Sequence, residues 1–385
     1  MTVIDESPIS VPAGLRNVAV TSTELGDVRG NEGFCHFRQY SVVELARSRT
    51  FEDVVFLFLE GRLPTATEAA ELAREVAARR PLPADLEDAL PTIAAGGATA
   101  EPLKGLRTAL SLLADLRGIP PLWDADPATR REHALLACAV TPTILAALHR
   151  LQAGLDPVEP RAELSTAANW LHLVTGEVPG PERVRAVEQY LIATVDHGFA
   201  ASTFTARVVA STGADLFSAV IAAIGAFSGP LHGGAPDRAL AGLDEIGSPD
   251  RIDAWVRDKV RSGERIMGFG HAVYRTHDPR AVLLREVASG LGGELAEFAT
   301  AVEAGVVEVL AELKPDRRLY PNVEFYAGVV MELCGIPRSM FTPTFAVSRM
   351  VGWAAHVLEQ ATERRIIRPV ARYTGPPAPQ PVPAP

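Results

Sequence analysis

The sequence predicts a mainly α-helical fold with one small β element near the N-terminus. Two early segments, residues 41–44 (SVVE) and 65–68 (TATE), have the capping-box pattern that opens a helix. Strand-like residues occur ahead of them, between residues 17 and 40. Beyond residue 40 helical signals dominate, which places the protein among the mainly helical folds.

The β element is predicted from Val18, Val20 and the run 34–37 (FCHF), which flank a glycine-punctuated turn at 26–33. Residues 376–385 (PPAPQPVPAP) have no apolar periodicity and are predicted to form an extended tail. Between these two regions, further helices are predicted at about 101–116, 129–153, 161–175, 181–197, 203–212, 214–226, 235–244, 249–262, 279–290, 295–313, 322–334 and 343–361.

Two of these helices carry polar residues of interest. Helix 181–197 ends at His197, which precedes the glycine expected at a helix C-terminus. In helix 343–361 an apolar stripe covers one face, and Arg349 and His356 share another. That second face is predicted to be exposed or to line a cleft.

Composition limits the class of protein. The 385 residues suffice for one large domain or two of ordinary size. They are 47% hydrophobic and 22% charged, as in a soluble globular protein. The formal net charge is -10 without a long basic run, which argues against nucleic-acid or anionic-membrane partners. An anionic substrate would therefore need a local arginine cluster.

Cysteine usage and the N-terminal residues predict a cytoplasmic protein. The three cysteines, Cys35, Cys138 and Cys334, have no metal-ligand spacing, which favours a reducing compartment without disulfides. The N-terminal residues lack the basic and apolar regions of a signal peptide. The longest apolar stretches, such as residues 219–227, are expected to be too short to span a bilayer.

Two histidines lie in glycine-rich settings. His232, within 229–234 (GPLHGG), precedes a predicted helix start at Pro236, where the helix dipole would keep the imidazole neutral. A neutral imidazole can donate one hydrogen bond to a developing enolate oxygen. The alternative is a structural histidine beside a turn.

His271 follows a Gly-x-Gly turn whose backbone amides could hold an anionic group. Arg275 and Arg280 supply permanent positive charge for phosphate and carboxylate groups respectively. No strand or dinucleotide fingerprint surrounds the turn, so a Rossmann site is not predicted. The alternative is a surface loop with solvated arginines.

Glu324 lies among Val, Phe and Tyr residues in 320–328 (YPNVEFYAG). Burial there would raise its pKa and make it a stronger base, whereas a surface glutamate on an amphipathic helix is the alternative. Histidine and cysteine spacings typical of metal sites are absent, so no metal is predicted. A Gly-x-Ser-x-Gly elbow is absent too, so serine hydrolase chemistry is poorly supported.

Together these motifs resemble the citrate synthase family, and the likeness runs from about residue 14 to 375. Several separated motifs in the family's order are far more specific than any one of them. The segments that carry the resemblance are residues 196–198 (DHG), 201–207 (ASTFTAR), 229–234 (GPLHGG), 267–275 (MGFGHAVYR), 278–281 (DPRA), 322–326 (NVEFY), 348–349 (SR), 352–353 (GW), 355–356 (AH), 368–369 (RP) and 373–375 (YTG).

The resemblance implies a two-domain helical homodimer that condenses acetyl-CoA with oxaloacetate and water to give citrate and CoA. The large discontinuous domain would comprise residues 1–230 and 336–375, the small domain residues 231–335, and the tail residues 376–385. The small domain would carry much of the active site and close over the substrates. The only cosubstrate implied is the CoA thioester, and neither a metal nor another cofactor is expected.

The resemblance also implies residue roles. Glu324 would remove a methyl proton of the thioester, His232 would hydrogen-bond its oxygen, and His271 would polarise the ketone of oxaloacetate. The implied binding residues are, for oxaloacetate, His197, Arg280 and Arg349 with Arg368 from the other subunit, and, for CoA, Gly268, Phe269, Gly270 and Arg275.

Three positions depart from the family pattern. The family base is usually aspartate, and Glu324 is one methylene longer, although some bacterial relatives also carry glutamate. Ala200 replaces a frequent asparagine, and Glu101 precedes Pro102 where a His-Pro pair is common. A 2-methylcitrate synthase that uses propionyl-CoA is one alternative, and a catalytically weak paralogue that binds CoA or oxaloacetate is another.

Overall fold

A computed structural model describes residues 9–96, 101–229, 232, 236–271 and 273–383. Within these ranges the chain forms sixteen α-helices and one three-stranded sheet, which confirms the mainly helical fold with a small N-terminal β element.

The sheet is an antiparallel meander of β1 (Gly26–Arg29), β2 (Phe34–Phe37) and β3 (Tyr40–Ser41). The predicted run 34–37 is confirmed as a strand. The prediction of strand residues at Val18 and Val20 is wrong, because the partner of β2 lies inside the segment expected to be a turn. Pairing Gly26 with Phe37 leaves only residues 30–33 to reverse the chain, and register is fixed by that short turn.

Ten helices lie in the described residues up to 229: α1 (Val42–Ser48), α2 (Phe51–Glu60), α3 (Ala66–Arg79), α4 (Ala84–Ala94), α5 (Pro102–Leu116), α6 (Pro127–Gln152), α7 (Thr166–Thr175), α8 (Pro181–Thr194), α9 (Ala201–Ser211) and α10 (Leu216–Phe227). Thr65 and Glu68 form the predicted capping box, while Ser41 accepts only the Glu44 N–H. Helices α2 and α4 were not predicted from the sequence.

Six helices follow: α11 (Pro236–Ile246), α12 (Ile252–Ser262), α13 (Pro279–Leu291), α14 (Glu294–Leu313), α15 (Val323–Leu333) and α16 (Phe341–Glu363). The first five pack largely on one another, with α13 and α15 also contacting α8. The last returns to the first group and lies against α6, α8, α9 and α10. The chain therefore brings α8, α13, α15 and α16 together around one region.

Helix α6 corrects the expectation that every apolar stretch is too short to cross a membrane. By length and composition alone, its 26 residues could do so, with a mean hydropathy of 1.6 over the most apolar window. In the structure 78% of that window is buried against protein. Its apolar side chains pack against α5, α7 and α16, so α6 is a central helix of the core.

The ends of α8 and α16 set the surroundings of the predicted site. Helix α8 ends at Thr194, three residues earlier than predicted, so His197 lies in the following loop. Gly198 has a φ of +62° and reverses the chain there. Helix α16 is buried on nearly all sides, and Arg349 and His356 are 2% and 1% exposed. The predicted polar face of α16 is therefore interior.

Candidate active site

His197, His271 and Tyr274 form the centre of the candidate site. The two imidazole rings are 5.4 Å apart between centroids, and His197 Nε2 lies 3.1 Å from the Tyr274 hydroxyl. Burial, followed by the nearby charge of Arg280, lowers the pKa of His197 well below its usual range. Burial also raises the pKa of Tyr274, so the phenol stays protonated. The side chains of His197, His271 and Tyr274 are therefore neutral at pH 7, and the positive charge of this region comes from the nearby arginines.

The backbone fixes the tautomer of His271. Its Nδ1 accepts hydrogen bonds from the N–H groups of Val273 and Tyr274, at 2.9 and 3.1 Å. Because Nδ1 must offer a lone pair to both donors, the single proton of the neutral ring resides on Nε2. Burial and the charge of Arg280 lower the pKa of His271 to about 4, which keeps it neutral. His271 can therefore donate from Nε2 to a carbonyl oxygen.

A hydrogen-bond chain fixes His232 in the opposite tautomer. Trp353 Nε1 donates to Ser202 Oγ at 3.1 Å, and that hydroxyl lies 2.8 Å from His232 Nε2. The Ser202 backbone N–H also points at Nε2, at 3.3 Å, so Nε2 accepts and Nδ1 carries the proton. Burial and Arg349 lower the pKa of His232 to about 4. The predicted neutral state is supported, but burial rather than the helix dipole is its main cause.

Asp278 ties Arg280 to the helix that carries Glu324. Its carboxylate accepts from Arg280 Nε and Nη2, at 3.0 and 2.8 Å, and both side chains are buried. The same carboxylate accepts the Val323 N–H at 3.2 Å, at the start of α15. One residue thus sets the relative positions of Arg280 and Glu324.

Arg349 is a second buried cation in this region. Its Nε donates to the Thr194 carbonyl at 2.9 Å, and its guanidinium lies 4.7 Å from the Phe345 ring centroid. Burial lowers the pKa of Arg349 to about 10, which still leaves it charged at pH 7. Among the described residues its terminal nitrogens have no recorded hydrogen bond, so they are available to a carboxylate.

Glu324 lines a cavity together with the Gly268–Gly270 turn. The cavity has a volume of about 310 Å³, and Lys314 also lines it. Asn322 holds the turn against α15, since its Nδ2 donates to the Gly270 carbonyl at 3.0 Å. Burial raises the pKa of Glu324 to about 7, as the sequence analysis expected. A carboxylate of raised basicity therefore lies in the wall of this cavity.

Two predicted residues lie apart from this group. Arg275 is exposed, on the loop that follows His271. Arg368 is exposed in the extended segment after α16, where the neighbouring Ile367 N–H donates to Ser211 Oγ. Within one chain no recorded contact among the described residues joins Arg368 to the two histidines.

The hairpin formed by β1 and β2 is in direct contact with residues 273–275, which follow His271. Arg275 N–H donates to the Gly30 carbonyl at 3.0 Å, and a Cβ at Gly30 would come 2.3 Å from the Val273 oxygen. Replacing Gly30 with alanine should therefore displace residues 273–275, at a cost of about 1–3 kcal/mol. We expect a lower Tm and a several-fold higher KM for the ligand at His271. Gly290→Ala, in helix α13 where a Cβ would meet no atom within 4 Å, is the matched control. It should leave KM unchanged and should not lower Tm, because alanine is the better helix former.

Sequence reasoning did not assign roles to Tyr274, Ser202 or Asp278. Asp278 had a local signal, because it precedes a proline at a helix start, but its bond to Arg280 was not foreseen. Ser202 and His232 are thirty residues apart, and no local pattern links them. Among the described residues no three His, Cys, Asp or Glu side chains are grouped so as to hold a metal ion.

Comparison with known proteins assigns this arrangement to a family. The family model for the citrate synthase C-terminal domain matches residues 14–370. The chain belongs to the citrate synthase family. A citrate synthase of Deinococcus radiodurans is 38% identical over 95% of this chain and 96% of its own length. A 2-methylcitrate synthase of Mycobacterium tuberculosis is also 38% identical, over 97% of this chain and 92% of its own length.

A solved structure supports the same assignment. Citrate synthase from Thermoplasma acidophilum, in a ternary complex with carboxymethyl coenzyme A and oxaloacetate, matches with a TM-score of 0.87 and 30% identity. The match covers 95% of this chain and 97% of that one. The resemblance inferred from separated motifs is thereby confirmed, and this citrate synthase family member is an acyltransferase.

Proposed function

We propose that the protein condenses acetyl-CoA with oxaloacetate and water, releasing citrate and CoA. The observation that carries the proposal is the pair of histidines held in complementary tautomers. The ring proton is on Nε2 in His271 and on Nδ1 in His232. A carbon–carbon bond-forming site needs such fixed donors, because an enolate oxygen and a ketone oxygen both gain charge during the reaction.

On the acyl side, Glu324 removes a proton from the methyl group of acetyl-CoA. The electron pair moves onto the thioester oxygen, which receives the hydrogen bond from His232 Nδ1. The raised pKa of Glu324 suits this step, since a stronger base lowers the barrier to removing a weakly acidic proton. Ser202 and Trp353 act behind His232 by holding its lone pair away from the substrate.

On the other side, the enolate carbon attacks the ketone carbon of oxaloacetate. His271 Nε2 donates a hydrogen bond to the ketone oxygen as negative charge develops there, while Arg280, Arg349 and His197 hold the two carboxylates. The oxygen then takes up one proton to become a hydroxyl, which balances the proton that Glu324 removed from the methyl group. Water then hydrolyses the citryl thioester. Excluding water until that step requires closure around the substrates, which we assign to movement of residues 231–335 relative to residues 1–230 and 336–375.

The cavity beside Glu324 suits the pantetheine arm of CoA. Gly268, Phe269 and Gly270 would bind it through backbone groups, and Lys314 adds positive charge at the cavity wall. The exposed Arg275 would meet a phosphate group. The reaction needs no metal and no cofactor beyond the thioester substrate, and we propose a cytoplasmic enzyme.

The partner subunit would complete the oxaloacetate site in a homodimer. Arg368 is exposed and its extended segment is anchored near Ser211, which leaves its guanidinium available to another chain. We expect Arg368→Ala to raise the KM for oxaloacetate about tenfold or more, as loss of a charge-assisted hydrogen bond would. The KM for acetyl-CoA should stay within twofold. Arg365→Ala, another exposed arginine in that segment, is the control, and an unchanged oxaloacetate KM in Arg368→Ala would contradict the shared site.

The acyl group is the point at which a second candidate function arises. Citrate synthase and 2-methylcitrate synthase relatives match at the same 38% identity. Propionyl-CoA differs from acetyl-CoA by one methylene, which a pocket discriminates by only about 1–3 kcal/mol. Thiol release should be measured with both thioesters in parallel, with oxaloacetate saturating. A higher kcat/KM for acetyl-CoA supports the proposal, and a propionyl preference would assign the chain to 2-methylcitrate synthesis.

A further inference from the structure

Three buried polar side chains form a chain behind the oxaloacetate half of the site. His356 on α16 lies between Asp196, which precedes His197, and Arg207 on α9. Its Nε2 is 3.4 Å from Asp196 Oδ1, and its Nδ1 is 3.2 Å from Arg207 Nη1. The three residues are 1%, 3% and 0% exposed. The contact is therefore shielded from solvent.

The arginine fixes the direction of the hydrogen bonds in this chain. A guanidinium can only donate, so His356 Nδ1 accepts from Arg207 and the ring proton is on Nε2. That proton faces Asp196 Oδ1. Within the described part of the chain neither of these two buried atoms has a hydrogen-bond partner, and each is the other's ion-pair contact at 3.4 Å. Because an unpaired buried polar atom is costly, Asp196 and His356 depend on each other.

Arg207 is a fixed anchor for this chain. Its Nη2 is 3.2 Å from Glu363 Oε1, its Nε donates to Gln360 at 2.8 Å, and its Nη1 also bonds Glu359. These three acceptors all belong to α16. The cation is thus neutralised inside the core and cannot swing away from His356 without breaking several bonds.

Helix α16 also contacts the two residues just before Asp196. A Cβ at Gly352 would lie 2.3 Å from the Val195 carbonyl oxygen, which means that helix and loop backbones are in direct contact. Arg349 reaches the Thr194 carbonyl one residue earlier. The Asp196 carboxylate favours the charged form of Arg349, opposing the effect of burial on its pKa. Asp196 is therefore next to His197 in the chain and acts on the charge of Arg349, and both of these residues are proposed to hold oxaloacetate.

We propose that His356 is a positioning residue for oxaloacetate, acting through Asp196 to hold His197 and Arg349 in their binding geometry. The inference rests on the proposed function and deepens it, because it assigns a role to a side chain that does not touch substrate. Its effect should fall on oxaloacetate alone, since the chain ends on that half of the site.

Two substitutions at His356 separate its contact with Asp196 from its hydrogen bond with Arg207. Glutamine places an amide N–H near the position of Nε2 and keeps a donor facing Asp196, whereas asparagine reaches only the position of Nδ1 and keeps an acceptor for Arg207. We expect His356→Asn to raise the KM for oxaloacetate about tenfold, with the KM for acetyl-CoA within twofold. We expect His356→Gln to keep both values near wild type. Calorimetric titration with oxaloacetate should show the same order of affinities.

The outcomes distinguish this inference from the proposed function. Equal oxaloacetate KM values for the two variants, or equal losses for both substrates with a matching fall in Tm, would overturn the positioning role in an active enzyme. A wild type that neither releases CoA nor binds oxaloacetate would overturn the proposed function, and the inference with it. An asparagine variant that fails to fold leaves the glutamine variant as the test, and a tenfold oxaloacetate defect there would contradict the inference.

Discussion

Glu324→Gln should almost abolish turnover and at the same time stabilise the fold. Glutamine has nearly the same shape but cannot accept the substrate proton, and loss of a general base costs about 10²–10⁴ in kcat. The buried carboxylate resists ionisation, so its pKa is raised to about 7. A neutral amide avoids that cost, and the difference amounts to up to about 3 kcal/mol at pH 8. Thiol-release kinetics and thermal unfolding of the same samples test both effects.

The pH dependence follows from the same carboxylate. Its folded pKa lies above its unfolded value, so the stability that it contributes is complete below about pH 4.5 and is lost as pH rises towards 7. Activity has the opposite sign, because only the carboxylate is a base. We expect kcat/KM for acetyl-CoA to rise about tenfold per pH unit below 7 and to level off near pH 8. Burial lowers the pKa values of His232 and His271 to about 4, so both imidazoles are neutral over the range from pH 6 to 8 in which Glu324 titrates.

Glu324→Asp is the matched control for these effects. It keeps an ionisable carboxylate and should therefore keep an acid limb in the pH profile. We expect a lower kcat, because the shorter side chain holds the carboxylate farther from the methyl group of the substrate. A glutamine variant with wild-type kcat would show that Glu324 is not the base. A glutamine variant less stable than wild type at pH 8 would contradict the desolvation account.

Arg280→Met should produce the largest loss of stability. It leaves the Asp278 carboxylate buried without its bidentate partner, and breaking such a pair costs about 3–5 kcal/mol. Asp278 also holds the start of α15, so the position of Glu324 relaxes as well. We expect a marked fall in Tm and a KM for oxaloacetate beyond the measurable range. Denaturant unfolding and initial-rate kinetics provide the two measurements.

The double variant Asp278→Asn/Arg280→Met separates charge from binding. Removing the stranded carboxylate should restore part of the lost stability, because the asparagine carbonyl still accepts the Val323 N–H. Oxaloacetate binding should stay lost, since no cation replaces Arg280. Recovery of binding in the double variant would show that Arg280 acts only by neutralising Asp278.

Local sequence signals predicted most helices but failed where tertiary contacts decide. Capping residues and glycine or proline punctuation lie within a few positions of the helices that they bound, so the start of α3 and both ends of α13 were predicted closely. Helix α4 was missed, and it contains Pro91 within its last turn, which resembles a break. The first strand was misplaced because pairing with Phe37, rather than the propensity of Val18 or Val20, selects Gly26–Arg29.

The candidate site was predictable in its residue types but not in its connections. Glycines beside histidines, and a glutamate among apolar residues, are visible along the chain. The tautomers are not, because they depend on Ser202 for His232 and on a turn geometry for His271. The burial of His356 was equally hidden, since a polar residue on a helix face gives no sign of the arginine packed against it from α9.

The two backbone donors at Val273 and Tyr274 make the chemistry of His271 conditional on conformation. When the Val273 and Tyr274 N–H groups move away, Nδ1 competes with Nε2 for the ring proton, and a ketone can meet a lone pair instead of a donor. Any opening that admits or releases a ligand by moving these two N–H groups would therefore also release the proton of His271 from its fixed place on Nε2.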